Sequence, residues 1–110
     1  WSRCVQRGDV YRFKVPKGVG HEQQGERFGV VVQSDVMLPR SVVVVAPTSR
    51  SARPASIRPE VEVAGEVTRV LVEQLGAVDV QRLGRRVGRL TVAEMWSVDE
   101  ALVAVLGLDN

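Results

Sequence analysis

Residues 28–46 read FGVVVQSDVMLPRSVVVVA and contain two near-continuous apolar runs of strand length, 28–33 and 41–46. A run of this kind is typical of a strand that is buried on both faces. The residues between the runs, SDVMLPR, have the composition of a turn. We therefore expect two strands at the centre of a sheet, with the other elements arranged around them.

Most of the remaining chain is also predicted to be strand, because about 24 of its 110 residues are valine and β-branched side chains favour strands. A first strand is expected over Asp9–Val15, with a bulge or burial on both faces, because its alternation is broken. Residues 16–27 are polar, contain three glycines and are predicted to form a surface loop. Further strands are predicted over 60–64, 67–74, 76–78 and 84–90, with a turn at Gly65-Glu66 and a short helical turn capped by Asp79.

Only the last segment has the pattern of a helix. Thr91 and Glu94 form a capping box, and Gly107 is a natural end. The apolar residues between them predict a stripe that packs on the core and includes Trp96: Val92, Met95, Trp96, Ala101, Leu102, Val105 and Leu106. These elements predict a small, strongly curved antiparallel sheet, barrel-like and closed by one C-terminal helix.

Length and composition exclude several classes of protein. The 110 residues are the length of a single domain, 1–110. No apolar run approaches the roughly 20 residues that a spanning helix needs, so no membrane-spanning segment is expected. The N-terminal stretch lacks the apolar run of a secretory signal, so a cytoplasmic location is expected. Cys4 is the only cysteine, which rules out an internal disulfide and a zinc site built on cysteine pairs.

The net charge is only +2, but the arginines are clustered. Two stretches of the sequence are rich in arginine and could bind phosphate or an acidic protein. Alternatively, their side chains only solvate the surface. The first stretch contains Arg50, Arg53 and Arg58, and the second contains Arg82, Arg85, Arg86 and Arg89.

Few residues suit acid–base or metal chemistry. His21 is the only histidine and lies beside Glu22 in the polar loop. A metal site formed with Glu26 would have no recognised spacing. The sequence contains no nucleophile elbow and no phosphate loop of the G-x-x-x-x-G-K-[ST] type. We therefore expect neither a metal nor another cofactor.

Five segments in order resemble the MazF/PemK family of bacterial toxins. They are RGDVYRFKV (7–15), GHEQQGERFGVVVQSD (20–35), VVVVAPTS (42–49), VLVEQLGAVDVQRLGRRVGRL (70–90) and VDEALVAVLGL (98–108). The resemblance implies a mainly β (α+β) fold, a small SH3-like antiparallel barrel closed by a C-terminal helix. It also implies the toxin of a type II toxin–antitoxin system that acts as a homodimer and is inhibited by an acidic, MazE-like antitoxin.

The implied activity is sequence-specific, metal-independent cleavage of single-stranded RNA, whether messenger, ribosomal or transfer RNA. The family's catalytic arginine and threonine match Arg27 and Thr48. In attack by a 2′-hydroxyl, charge builds on the phosphoryl oxygens, which a guanidinium and a hydroxyl can stabilise. Arginine is a poor base, so Arg27 is expected to stabilise charge, with protonation of the leaving group as its alternative role.

Further residues are assigned through the same resemblance. Glu22, Gln23 and Gln74 match RNA-binding positions, and Ser49 and Arg50 follow Thr48 in the same segment and are expected to bind RNA. His21 is either the general base or only a hydrogen-bonding residue of the loop. Phe28, Tyr11 and the planar guanidinium groups of the arginines are candidate platforms for base stacking.

The chain departs from the family pattern at several places: His21 stands where serine is frequent, and the stretch between Val63 and Val70 is shorter than usual. Phe28 follows Arg27 where proline is common, and Gly76 stands where arginine is frequent. These departures leave open a catalytically weak relative that binds antitoxin and RNA. The other alternative is a CcdB-like gyrase poison on the same fold, although the end LGLDN lacks the aromatic-and-glycine terminus of those proteins.

Overall fold

The computed structural model describes residues 5–15, 25–35 and 41–108. Short 3₁₀ turns lie at Val72–Gln74 and Val80–Arg82, the second with Asp79 as its predicted cap. The strands are β1 (Asp9–Val15), β2 (Gly25–Val31), β3 (Val42–Ser49), β4 (Glu60–Val63), β5 (Glu66–Val70), β6 (Gly76–Asp79) and β7 (Leu83–Arg89), and the helix is α1 (Val92–Leu106).

The strands form one curled antiparallel sheet in the order β4-β5-β3-β2-β1-β7. One edge of β3 has two partners in succession, β6 along residues 42–45 and β5 at Thr48 and Ser49. The end strands β4 and β7 also contact each other, so the sheet curls round into a half-barrel. Together with the C-terminal helix, this arrangement confirms the predicted fold class.

The two central strands are buried on both faces, as predicted. Neighbouring residues of one strand belong to separate core clusters: Val30 lies in the larger cluster under α1, and Val31 lies in the second. On β1, Val10 likewise lies in the larger cluster and Tyr11 in the second. The β1–β7 register shifts on either side of Tyr11, which is the expected irregularity of the first strand.

Several predicted boundaries differ from the structure. β2 begins at Gly25, so the predicted loop ends earlier than residue 27. β3 continues through Pro47 to Ser49, because the Pro47 carbonyl accepts a hydrogen bond from the Leu71 N–H and the next two residues pair with β5. The predicted strand 67–74 stops at Val70, where β3 ends its pairing and a 3₁₀ turn follows.

The helix has the predicted ends, and part of the predicted stripe packs on the core: Met95, Ala101, Leu102 and Val105. The other three predicted members, Val92, Trp96 and Leu106, are exposed. Thr91 and Glu94 form the capping box, and Gly107 adopts a left-handed φ of 69°. Trp96, however, is 68% exposed, whereas Val98 is fully buried with Met95 packed beside it. The prediction that Trp96 packs in the core is wrong because α1 carries apolar residues on two faces and only one can lie on the sheet.

Within residues 5–15, 25–35 and 41–108, no helix has the length and apolar content needed to span a membrane.

Candidate functional site

An open cleft of about 320 Å³ lies where the ends of β2 and β3 meet the β4–β5 hairpin. It brings together four of the residues predicted for catalysis or RNA binding, from strands that are far apart in the sequence. The residues that line it are Arg12, Arg27, Phe28, Thr48, Ser49, Arg50, Val63, Glu66 and Thr68.

Thr48 is held in the cleft wall by the pairing of β2 with β3. Gly29 pairs with Pro47, so the next residues, Phe28 and Thr48, lie side by side. The Thr48 hydroxyl donates a hydrogen bond of 3.3 Å to the Phe28 carbonyl. The side chain is only 6% exposed, so its hydroxyl has a fixed position on the cleft wall.

Arg27 enters the cleft from β2, where it pairs with Phe13 of β1. Its side chain is half-buried, and its buried Nε has no hydrogen-bond partner among the described residues. A buried guanidinium N–H without an acceptor is costly, and a bound anion would remove that cost. Arg27 is therefore well suited to hold a phosphate.

Arg12 covers the ring of Phe28, with its Cζ 5.9 Å from the ring centroid. The two residues pair directly across β1 and β2. Phe28 also packs on the core, so its ring, predicted as a stacking platform, is covered on one side by the core and on another by the Arg12 guanidinium. The second predicted platform, Tyr11, is 3% exposed and faces the smaller core cluster, so that prediction is wrong.

Arg50 lies on the rim, where its Nη1 donates to both carboxylate oxygens of Glu66 at 2.8 and 2.9 Å. Both side chains are more than half exposed. Three arginines and one carboxylate line the cleft, so its charge is positive. Sequence reasoning missed Glu66 because the two partners are 16 residues apart.

Thr68 is a second hydroxyl of the cleft that sequence reasoning missed. It is 4% exposed, and its Oγ1 has no partner among the described residues. The available signal was the pattern of β5, where a threonine takes an inward position that the neighbouring strands fill with valine.

Gln74 is not among the cleft-lining residues. It lies exposed in the Val72–Gln74 turn, next to Glu73. Partial burial raises the pKa of Glu73, but hydrogen bonds from Arg58 and from the backbone, together with the Arg58 charge, outweigh burial and leave the pKa below its usual value. The Arg58 Nη2 to Glu73 Oε2 distance is 2.7 Å.

The predicted residues His21, Glu22 and Gln23 lie outside the described residues. In the part of the chain that the structure describes, no three His, Cys, Asp or Glu side chains are close enough together to hold a metal ion.

The fold and the site define a small curled-sheet protein with a cationic cleft lined by hydroxyls. A family model described as PemK-like, MazF-like toxin of type II toxin–antitoxin systems matches residues 6–106. The chain therefore belongs to the PemK-like, MazF-like toxin family.

Two relatives are similar along nearly their whole length. A protein of Mycobacterium tuberculosis that is named as a toxin is 44% identical, over 94% of this chain and 99% of its own. Endoribonuclease MazF of Staphylococcus epidermidis is 33% identical, over 96% of this chain and 94% of its own. Among solved structures, a mycobacterial endoribonuclease in complex with its cognate antitoxin has a TM-score of 0.81 at 21% identity, covering 96% of this chain and 98% of its own.

Proposed function

We propose that this chain is the toxin of a type II toxin–antitoxin pair and acts as an endoribonuclease that cleaves single-stranded RNA at specific sequences without a metal ion. The observation that carries the proposal is that Arg27 and Thr48 line one cleft, where a buried N–H of Arg27 has no acceptor among the described residues. The similarity to proteins named endoribonuclease supports the same activity.

In the proposed reaction the ribose 2′-oxygen attacks the adjacent phosphorus and the bond from phosphorus to the 5′-oxygen breaks. The 2′-hydroxyl gives its proton to a base, and the leaving 5′-oxygen takes a proton from water or from the Arg27 guanidinium. Negative charge builds on the non-bridging oxygens, where the Arg27 guanidinium stabilises it and the Thr48 hydroxyl positions the phosphate. His21 is proposed to accept the 2′-hydroxyl proton, since arginine, with a pKa above about 12, is a poor acceptor at pH 7.

RNA on either side of the reacting phosphate would contact polar groups around the cleft. Ser49 and Arg50 line it directly, which supports their assignment to RNA binding. Glu22, Gln23 and Gln74 are proposed to contact the RNA further out and to contribute to sequence selection.

We also propose that an acidic antitoxin occupies the same cationic cleft. The solved complex of a structural relative with its cognate antitoxin supports an antitoxin partner, and the positive charge of the cleft supports this binding site. A homodimer is supported by an apolar face that α1 leaves exposed at helical spacing, formed by Val92, Trp96, Val103 and Leu106. The cytoplasm, where RNA and antitoxin are made, is the proposed location.

Cleavage of a long single-stranded RNA in excess EDTA, followed by mapping of the cut ends, tests the activity. We expect discrete cuts from the wild-type chain, none from Arg27→Ala and none from Thr48→Ala. Ser97→Ala is the control, because this exposed helix hydroxyl donates to the Ala93 carbonyl of its own helix and does not line the cleft. RNA left intact by the wild type would overturn the proposal, and inhibition of DNA supercoiling would then indicate a gyrase poison.

A further inference from the structure

We propose that Thr68 is a second phosphate-binding hydroxyl of the cleft, which donates to the same RNA phosphate that Arg27 stabilises. The proposal rests on the proposed function for the identity of the ligand as RNA. Its structural basis is the burial of the Thr68 hydroxyl, its missing hydrogen-bond partner and its position beside Thr48 and Arg27.

The strand register places Thr68 next to Thr48. Thr48 pairs directly with Val70, and Thr68 lies two residues before Val70 on β5. Side chains two residues apart on a strand share a face, so both threonines face the cleft. Such diagonal neighbours across an antiparallel pair have Cα atoms about 7–8 Å apart, a separation that one phosphate group can bridge.

The Thr68 hydroxyl is buried although no hydrogen bond within the described residues compensates its burial. The side chain is 4% exposed, and Oγ1 has no hydrogen-bond partner among the described residues. Its pairing partner on β4 is Val61, and Val70 occupies the next inward position of β5. Valine has the same shape as threonine and would fill this position without leaving a polar atom unsatisfied.

The neighbouring hydrogen-bond donors indicate that the acceptor for the Thr68 hydroxyl is an anion. Arg27 Nε is a second buried donor without a described acceptor, and it belongs to a residue that lines the same cleft. A charged phosphate oxygen accepts strong, charge-assisted hydrogen bonds from hydroxyl and guanidinium groups. The Thr48 hydroxyl donates its proton to the Phe28 carbonyl, whereas the Thr68 hydroxyl has no acceptor among the described residues.

The test uses the full-length chain with Thr68→Val and Thr68→Ser, each measured in three ways. Thermal unfolding reports on the fold. Binding of a pool of single-stranded 2′-deoxy oligonucleotides reports on phosphate contacts, because these strands lack the attacking hydroxyl and stay intact. The kcat and KM for RNA cleavage report on the reaction.

We expect Thr68→Val to keep or raise the melting temperature while weakening binding of the pool about 10-fold and lowering kcat/KM by about 10- to 100-fold, the range for a lost hydrogen bond to a charged group. Thr68→Ser should restore both. Binding and cleavage by Thr68→Val at wild-type levels would overturn the proposal, as would equal losses in both variants together with a lower melting temperature.

The outcomes for Thr68 and for the proposed function can be told apart. A wild-type chain that binds the pool through Thr68 but leaves RNA intact supports the phosphate site and contradicts the nuclease. A wild-type chain that does not bind the pool contradicts the Thr68 proposal, whatever its activity on RNA.

Discussion

The hydroxyl of Thr48 donates to the backbone carbonyl of Phe28 over 3.3 Å and so links β3 to β2 at the mouth of the cleft. The bond fixes the orientation of a buried hydroxyl before any substrate arrives. To donate to a phosphate oxygen, the hydroxyl turns its single proton from the carbonyl to the substrate by rotation about one bond, while its oxygen stays in place. Thr48 thus contributes to the fold and to the proposed reaction through the same oxygen.

Replacement of Thr48 by valine should affect both contributions. We expect unfolding to become easier by about 1 kcal/mol, the usual net worth of a hydrogen bond, and cleavage to fall by about 100-fold or more. Thr48→Ser, which keeps the oxygen, should retain most of both. Urea denaturation and single-turnover cleavage measure the two effects. A loss of stability without loss of cleavage would show that Thr48 is only structural.

Removal of the carboxylate charge of Glu66 should strengthen RNA binding. In the structure Arg50 is occupied by Glu66, so Arg50 must exchange this partner for a phosphate. Glu66→Gln frees the guanidinium, and we expect a few-fold higher affinity with a steeper dependence on salt. Stability should change by less than about 1 kcal/mol, because the pair is exposed.

The matched control for that measurement is Glu60→Gln on the adjacent strand. Glu60 pairs with Arg69 at 3.3 Å and does not line the cleft, while the change in net charge is the same. Fluorescence anisotropy over a salt series compares the variants. An equal gain in both would attribute the effect to overall charge and contradict a specific role for Arg50.

Two substitutions in α1 test the observed orientation of the helix. Val98 is fully buried, so Val98→Ala should cost about 2 kcal/mol from the lost methyl groups and the resulting cavity. Trp96 is largely exposed, and Trp96→Ala should change the stability of one chain by less than about 0.5 kcal/mol. Denaturation at two protein concentrations is the measurement. A Trp96→Ala loss that depends on concentration would show that a second chain covers this side chain.

The ion pair of Glu73 with Arg58 should make stability sensitive to acid. The pKa of Glu73 is lower in the folded chain than its ordinary value of 4.5, so the folded state binds this proton less readily. The stabilisation is therefore complete above about pH 4.5 and is lost as pH falls through the lowered value.

Glu73→Gln removes this contribution at every pH. We expect the variant to be less stable than the wild type by about 1 kcal/mol at pH 7 and the difference to shrink towards pH 3. Urea titrations at the two pH values measure it. A difference that is the same at pH 3 and pH 7 would mean that the charge of Glu73 contributes nothing.

The arginine-rich stretches show where reasoning from the sequence ends. Arg86 and Arg89 have no acid close by in the sequence, yet both pair with the buried Asp9 of β1, at 3.2 and 2.7 Å. Arg50 and Arg58 are neutralised in the same way by residues of later elements. Local sequence gives the number of charges but not their partners, which come from distant strands.

Local patterns in the sequence determined most elements of this protein. Valine runs, the Thr91 capping box and the left-handed Gly107 act over a few residues, so β1, the paired central strands and the ends of α1 could be predicted. Family resemblance, carried by short segments, also picked out Arg27 and Thr48. None of these inferences required the position of a distant residue.

Only the tertiary structure decided which face of α1 is buried and which residues meet in the cleft. Trp96 and Val98 are both apolar, and the choice between them depends on how the helix lies on a sheet formed by other residues. The juxtaposition of Thr68 with Thr48 depends on the β3–β5 register. Register and packing are long-range properties of the whole chain, and no local window of sequence contains them.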